Sequence, residues 1–352
     1  NQFEHHPYLD QTALAAFCRG HGIAITSYAP IGRGALLDDP VITSIAAAKG
    51  KTPAQIVLRW HMDLGIAAAP RSSNATRMAE NLDIFDFGLT AQEGETAFFP
   101  GRKARTAGYN GSFLGPTLRV RNGTDARPAI RNALSEPTTV HFHGMLIPSV
   151  VDGGPHSEVA PGGEWKPVLP IRQPATTAWY HAHPHMRTGP QVWAGLAGMM
   201  IVTDAQEQAL GLPSRYGVDD LPVILQDRLF DREGRMAYPR NHMSVMQGAI
   251  GNVLLANGAR EPRADVPAGL VRLRLLNGAN ARNFGLVFED GRAFHWIGTD
   301  GGLLRGPVRL TRLLLAPAQR AEVIVDLSDG KPATLMNHSG AGLRPLLHLV
   351  PD

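Results

Sequence analysis

The chain has 352 residues, a length that suits roughly two to three domains. Its formal charge of +3 is spread over single arginines with no basic run, so nucleic-acid binding has no electrostatic footprint. The apolar run 196–202 falls far short of the ~20 residues of a membrane span and reads as a core strand. Gly 38 and Pro 27 suit a turn-rich β architecture, and the single cysteine fits either a reducing or an oxidising compartment.

The first quarter alternates strand and helix. After Asn1, Gln2 and Phe3 comes a helical pattern that turns Leu14, Phe17 and Cys18 inward, then a strand over 23–28 and a Pro- and Gly-containing loop over 30–34. A second helix is predicted over 53–60, with Thr52 as N-cap and Pro53 in its first turn. Such alternation implies parallel βα units. His5 and His6 are expected as exposed loop histidines, and Cys18 as a buried free thiol.

Asn1-Gln2, 27–33, 51–55, 70–77 and Glu80-Asn81 resemble the C-terminal third of an aldo-keto reductase, a TIM barrel that binds NADPH. The resemblance implies that Tyr28 stacks on nicotinamide, that Gln2 holds its carboxamide, and that Arg71, Ser72 and Arg77 bind the adenosine 2′-phosphate, with Glu80 and Asn81 completing the cofactor contacts. Two guanidinium forks and a hydroxyl suit a dianionic phosphate; the plain alternative is a helix start on a solvated loop. The family's catalytic Tyr, Lys, Asp and His lie on earlier strands, and a TIM barrel closes with eight strands, of which about three are present. NADP is therefore expected to bind only in an intact barrel.

The text changes character near 89–95. Residues 1–93 form the partial βα segment, 94–205 and 206–352 the two domains that follow, with no linker of Pro, Gly and Ser between segment and domains. A cut in mid-domain without a linker reads as a chimeric, composite chain.

Two histidine pairs carry the chemistry. His141-Phe142-His143 and His181-Ala182-His183 lie on β-branched and aromatic runs that read as strands. Residues i and i+2 of a strand share a face, with Cα atoms ~6.5–7 Å apart, and paired strands lie ~4.8 Å apart. Four imidazoles can thus converge on one rim, and imidazole suits Zn, Cu, Fe and Ni.

The context, 139–144, 151–155, 179–185 and 189–198, with 108–111 and 114–116 ahead of it and 221–227, 274–282, 299–302 and 319–323 behind it, resembles the first two cupredoxin domains of bacterial multicopper oxidases, closest to the copper-efflux type. The resemblance covers about Gly94 to the end, without the strand that usually opens the first domain. It implies a mainly β fold: two cupredoxin-like Greek-key β-sandwiches, preceded by a partial α/β segment derived from a TIM barrel. It also implies half of a trinuclear copper cluster, with His141 at the type 2 copper and His143, His181 and His183 at the type 3 pair. Asp152 would assist proton delivery, a role open to a carboxylate near a cationic site; its plain reading is an Asp-Gly turn. His185 matches a further family histidine nearby, and is read as supporting the site in preference to serving as a ligand.

A type 1 copper site needs a cysteine thiolate, and the one cysteine, Cys18, lies outside this region. In the family the remaining ligands come from a third domain. His242, His295, His338 and His348 are isolated and read as structural or surface residues, so the second sandwich is expected to hold no metal. The implied parent reaction is oxidation of cuprous ion or a phenol with reduction of dioxygen to water. For this chain alone the expectation is weak copper binding and negligible turnover.

Three other readings stay open: a fragment of an NADP-dependent reductase, a metal-free structural cupredoxin of the cell-division type, and a two-domain laccase that assembles its cluster between subunits. The oxidase part would be periplasmic and the reductase part cytoplasmic.

Overall fold

The computed structural model describes residues 1–49, 51–82, 84, 86–239, 242–338 and 342–352. Contacts divide the chain into two compact units, Asn1–Asp86 and Phe87–Asp352.

In the first unit, β1 (Gln2–Glu4), β2 (Thr26–Tyr28) and β3 (Ala67–Ala69) form a parallel sheet in that order. Parallel neighbours need crossover connections. Here these are α1 (Thr12–Gly20) between β1 and β2 in the chain, and α2 (Pro40–Lys49) with α3 (Pro53–Asp63) between β2 and β3; α4 (Ala75–Leu82) follows β3.

The start of α3 is as expected. The Thr52 hydroxyl accepts from the Gln55 N–H, the Gln55 side-chain oxygen accepts from the Thr52 N–H, and Pro53 occupies the first turn. Phe3, Ala15, Cys18, Ile25 and Ile66 form a small core.

Two expectations are corrected here. Phe17 is 56% exposed: the buried face of α1 is centred between Ala15 and Cys18, and at 100° per residue Phe17 points well to one side of it. It stacks on His21 instead, with ring centroids 4.2 Å apart. His5 is buried rather than exposed. Its ring lies flat on Trp60 at 4.9 Å, because α3 packs back over the loop that follows β1; His61 completes the contact by placing Nε2 2.9 Å from the His5 carbonyl.

The second unit contains two sandwiches. The first pairs two sheets. One has the order β10-β7-β4-β5, with β9 also on β7: β4 is Asp86–Phe99, β5 Arg102–Tyr109, β7 Asp125–Asn132, β9 Glu164–Trp165 and β10 Leu169–Pro170. The other has the order β6-β12-β11-β8: β6 is Leu118–Arg121, β8 His141–His143, β11 Thr176–His181 and β12 Ala197–Thr203. A strand therefore opens this sandwich although none is expected ahead of Gly94, and the Glu93–Gly94 step lies inside it.

The second sandwich pairs the sheet β14-β13-β17-β22-β19-β20, with β15 also on β13, and the sheet β16-β24-β23-β18-β21. In the first of these, β13 is Asp220–Phe230, β14 Met236–Ala237, β15 Val253–Ala256, β17 Leu270–Asn277, β19 Phe294–Thr299, β20 Gly302–Leu310 and β22 Arg320–Asp326. In the other, β16 is Arg263–Val266, β18 Phe284–Phe288, β21 Leu313–Leu315, β23 Ala333–His338 and β24 Leu343–Pro351. Among the described residues the unit also has three short α-helices, α5 (Thr188–Ala194), α6 (Ala205–Ala209) and α7 (His242–Gln247).

The run 196–202 is apolar throughout because β12 is covered on both faces. Met200 and Val202 enter the core of the first sandwich, while Ala197, Met199 and Ile201 meet Ile224 and Leu276 of the second. Beside this apolar seam lies a buried ionic one. Arg274 on β17 makes two bonds of 2.7 and 2.9 Å to Asp220 and one of 3.0 Å to Glu207 on α6. Arg272 donates to Glu207 at 2.7 Å and to Glu322 on β22. Glu322 in turn accepts from the Thr177 hydroxyl of β11 at 2.7 Å. The second sandwich thus grips the strand that ends in His181.

Candidate metal centre

β8 and β11 pair antiparallel, with His141 opposite His181 and His143 opposite Trp179. Directly opposed residues bring their Cβ atoms to about 4.5–5.5 Å, and the two-residue period puts His143 on the same face as His141. The outcome is a ring cluster. His141 lies 5.5, 5.3 and 5.4 Å from His143, His181 and His183, and His181 lies 5.5 and 5.6 Å from His143 and His183, between centroids. One ring nitrogen each of His141, His143 and His181 falls within 4.8 Å of the others. His185, by contrast, is exposed.

Hydrogen bonds select the nitrogens. His141 Nδ1 is 2.9 Å from the Asp152 carbonyl, and His181 Nδ1 is 2.9 Å from the Ala182 carbonyl. A carbonyl only accepts, so both Nδ1 atoms carry hydrogen and both Nε2 atoms offer a lone pair. His181 Nε2 then faces His143 Nδ1 at 3.2 Å. Without a cation, His143 Nδ1 must donate a proton there; a bound metal would be held by these nitrogens in place of that proton.

The nitrogens fit a metal. Bonds of about 2.0–2.1 Å at a near-tetrahedral angle separate two ligand nitrogens by roughly 3.3 Å, and an all-imidazole donor set suits copper.

Burial favours the neutral form of His141, His143 and His181. Desolvation is the main cause that lowers His141, against the Asp152 carbonyl bond that raises it. It takes His143 down to about 4, assisted by the Arg320 guanidinium. His181 falls well below its ordinary value, again chiefly by burial. Neutral imidazoles are the metal-binding form.

Glycines shape the rim. Gly153 has φ +76°, and a Cβ there would overlap the Val140 carbonyl. Only glycine lets the 152–154 turn lie against the strand so that the Asp152 carbonyl reaches both the His141 ring and the Phe142 N–H, each at 2.9 Å. The Asp152 carboxylate is occupied in the same turn, accepting from the Gly154 N–H at 3.0 Å. Gly144, at φ +85°, makes room for the Arg320 side chain, whose guanidinium is tied to the Thr177, Ala318 and Asp300 carbonyls.

Sequence reasoning missed Arg320, Thr139 (whose hydroxyl accepts from the His183 N–H at 2.7 Å) and Trp179. The indole of Trp179 stacks on His181 at 4.1 Å and leans on His143 at 5.1 Å. Strand alternation alone would have put Trp179 on the His181 face.

In the first unit Gln2 lies on β1 and the 42% exposed Tyr28 closes β2. Arg71 and Ser72 occupy the loop after β3, and Arg77, Glu80 and Asn81 lie on α4. The Arg77 N–H donates to Asn74 Oδ1 at 3.0 Å, and the Glu80 carbonyl accepts from Gln55 Nε2 at 2.9 Å.

Residues 90–207 match the multicopper oxidase family model, and residues 1–96 match that of the aldo/keto reductase family. The cell division protein FtsP of Yersinia pestis is 43% identical over 255 residues, which are 72% of this chain and 53% of that protein. FtsP of Xenorhabdus nematophila is 43% identical over 270 residues, 74% and 56% of the two chains. The chain thus spans about half the length of the curated relatives it matches.

Among solved structures, the laccase-like multicopper oxidase CueO of Ochrobactrum sp. superposes with a TM-score of 0.74 at 42% identity, covering 77% of this chain and 61% of that one. The multicopper oxidase McoA of Aquifex aeolicus gives 0.70 at 31%, covering 76% and 61%. The fold is mainly β, with two cupredoxin-like sandwiches after a partial α/β segment.

Proposed function

Starting from a chain that carries, after its reductase-like opening, two sandwiches of the multicopper oxidase kind, we propose that it is the copper-binding part of an oxidoreductase. Such an enzyme oxidises cuprous ion or a small phenolic substrate and reduces dioxygen to water. The observation that carries this reading is the convergence of His141, His143, His181 and His183 on one rim, with His181 Nε2 and His143 Nδ1 3.2 Å apart.

By the family pattern His141 holds the type 2 copper, and His143, His181 and His183 serve the type 3 pair. Copper bound there supplies one-electron transfer to dioxygen. The protein's own part is to hold Nε2 of His141 and His181 forward through the Asp152 and Ala182 carbonyls, and to keep His141, His143 and His181 neutral by burial. Asp152 is the nearby carboxylate for proton delivery. Its present bond to the Gly154 N–H would break or be shared as it carries a proton.

Cys18, the one cysteine, is buried in α1 and supplies no type 1 thiolate, so electrons enter from a further domain. The chain alone binds copper weakly and turns over negligibly. An extracytoplasmic compartment goes with this reading.

One observation favours a second reading: curated relatives at 43 and 44% identity bear a cell-division name. A metal-free structural role would leave the histidines without use. Copper titration of the full chain, followed by electron paramagnetic resonance, separates the two. Saturable binding that disappears in a His141→Ala/His181→Ala double variant supports the oxidase reading; identical behaviour of both proteins overturns it.

A further inference from the structure

His183 differs from the other ligands in what orients it. Its Nδ1 lies 3.3 Å from the Thr188 hydroxyl, which itself lies 3.1 Å from the Pro184 carbonyl. The carbonyl cannot donate, and it also accepts from the Arg187 and Thr188 N–H groups at 3.1 Å; a hydroxyl that gives its proton to Pro184 turns a lone pair to His183. In that arrangement Nδ1 of His183 carries hydrogen, and Nε2 is left as the ligand atom.

Thr188 is the first residue of α5, and that helix is fixed from both sandwiches. From the first, Gln191 accepts from the Thr138 hydroxyl at 2.7 Å and donates to the Pro137 carbonyl at 2.8 Å, two residues of the segment that leads into His141. From the second, Asn280 donates to the Gly189 carbonyl at 2.9 Å, and Arg228 takes the far end. Its Nε and Nη2 donate to the Trp193 and Val192 carbonyls at 2.6 and 3.0 Å.

Arg228 is fully buried between the rings of Phe113 and Trp193, at 5.4 and 5.0 Å from their centroids. A cation against the last carbonyls of a helix suits its dipole, and a planar fork spans two carbonyls where an ammonium reaches one.

We propose that Thr188 and Arg228 are positioning residues for the copper ligand His183. Thr188 selects the tautomer that presents Nε2, and Arg228, from the sandwich expected to hold no metal, fixes the helix that carries Thr188. The proposal rests on the oxidase reading for its use of copper, but its structural half does not.

The test uses the full chain and three substitutions: Thr188→Val, which keeps the shape; Thr188→Ser, which restores the hydroxyl; and Arg228→Lys, which keeps the charge and loses the fork. Nitrogen-15 spectra of histidine-labelled, metal-free protein, with His183 assigned from a His183→Gln variant, report the tautomer directly. The expected result is a single Nδ1–H form in the wild type and Thr188→Ser, and a mixture in Thr188→Val and Arg228→Lys.

Copper affinity is expected to fall about 10–100-fold in Thr188→Val, the range for loss of an outer hydrogen bond to a metal-ligating histidine, and to return in Thr188→Ser. Arg228→Lys should lose several-fold. A wild-type tautomer and affinity in Thr188→Val overturns the role of Thr188, and the same result in Arg228→Lys overturns that of Arg228. If the wild type binds no copper, the oxidase reading fails, while the tautomer spectra still decide the structural half.

Discussion

Glu322→Gln is the sharpest perturbation of the seam that holds β11. The Glu322 carboxylate is 1% exposed and accepts from Arg272 Nε at 3.0 Å and from Arg272 Nη2, from Arg274 Nη1 at 3.2 Å and from the Thr177 hydroxyl at 2.7 Å. Glutamine keeps the shape, but it removes the charge and turns an amide NH2 towards guanidinium donors. Removing one partner of a buried ionic set costs about 3–5 kcal/mol, because the remaining charges stay buried.

In a body of this size each kcal/mol moves the midpoint by about 2–4 °C, so calorimetry at pH 7 should show a fall of roughly 6–20 °C. The pH dependence has a definite sign. Burial alone would raise the Glu322 carboxyl, but the Arg274 and Arg272 guanidiniums and the bonds from Thr177 and Arg272 hold it below its ordinary value. A depressed carboxyl stabilises fully above the unfolded value, about 4.3, and the contribution fades as pH falls through the folded value. The gap between wild type and variant must therefore narrow on acidification below about pH 4.3. A gap under about 2 °C at pH 7, or one that stays constant to pH 3, refutes the argument.

Gly153→Ala forces a side chain into a φ of +76° and against the Val140 carbonyl. Strain of about 1–3 kcal/mol should appear in urea unfolding, and loss of the Asp152 carbonyl from His141 should weaken copper binding about tenfold or more; wild-type affinity would contradict the assigned role of this turn. Tyr180→Phe removes the bond of 2.7 Å to the Pro116 carbonyl and should lower unfolding stability by about 1 kcal/mol, since the net worth of such a bond is small; a variant as stable as the wild type would show the bond to be neutral. Thr52→Ala deletes the capping box of α3 and should cost about 1 kcal/mol, seen as faster amide exchange at Gln55 and Ile56 with other helices unaffected.

The histidine pairs were legible because a strand repeats every two residues, and that rule is local. His141 and His143 must share a face wherever the strand goes. What supports them was not legible, because it depends on which segments dock. The sequence marks Asp152 as a carboxylate, yet in the structure it is the backbone carbonyl that orients His141, an atom every residue possesses; the signal for it was Gly153, whose conformation the turn requires. Thr188 and Arg228 are separated by forty residues of chain that fold back across two sheets. In the first unit the burial of His5 depends in the same way on α3 returning over the loop, which no nearby residue announces.

The same reasoning explains why the second sandwich reads as chemically silent. In β17 the residues Val271, Leu273 and Leu275 enter its core, so alternation sends Arg272 and Arg274 to the opposite face, where arginines ordinarily meet water. That face is buried only because the first sandwich covers it, and the two guanidiniums are tolerated only because Asp220, Glu207 and Glu322 surround them. Such a set is costly to desolvate, and an apolar interface of equal volume would be as stable or more so. What the ionic set adds is direction: its bonds to Thr177 of β11 hold that strand in one register against the second sandwich. His181 lies four residues further along the same strand, and a slip of one residue would turn it to the other face. A sandwich whose sequence shows no metal spacing can thus determine the geometry of the candidate metal site beside it.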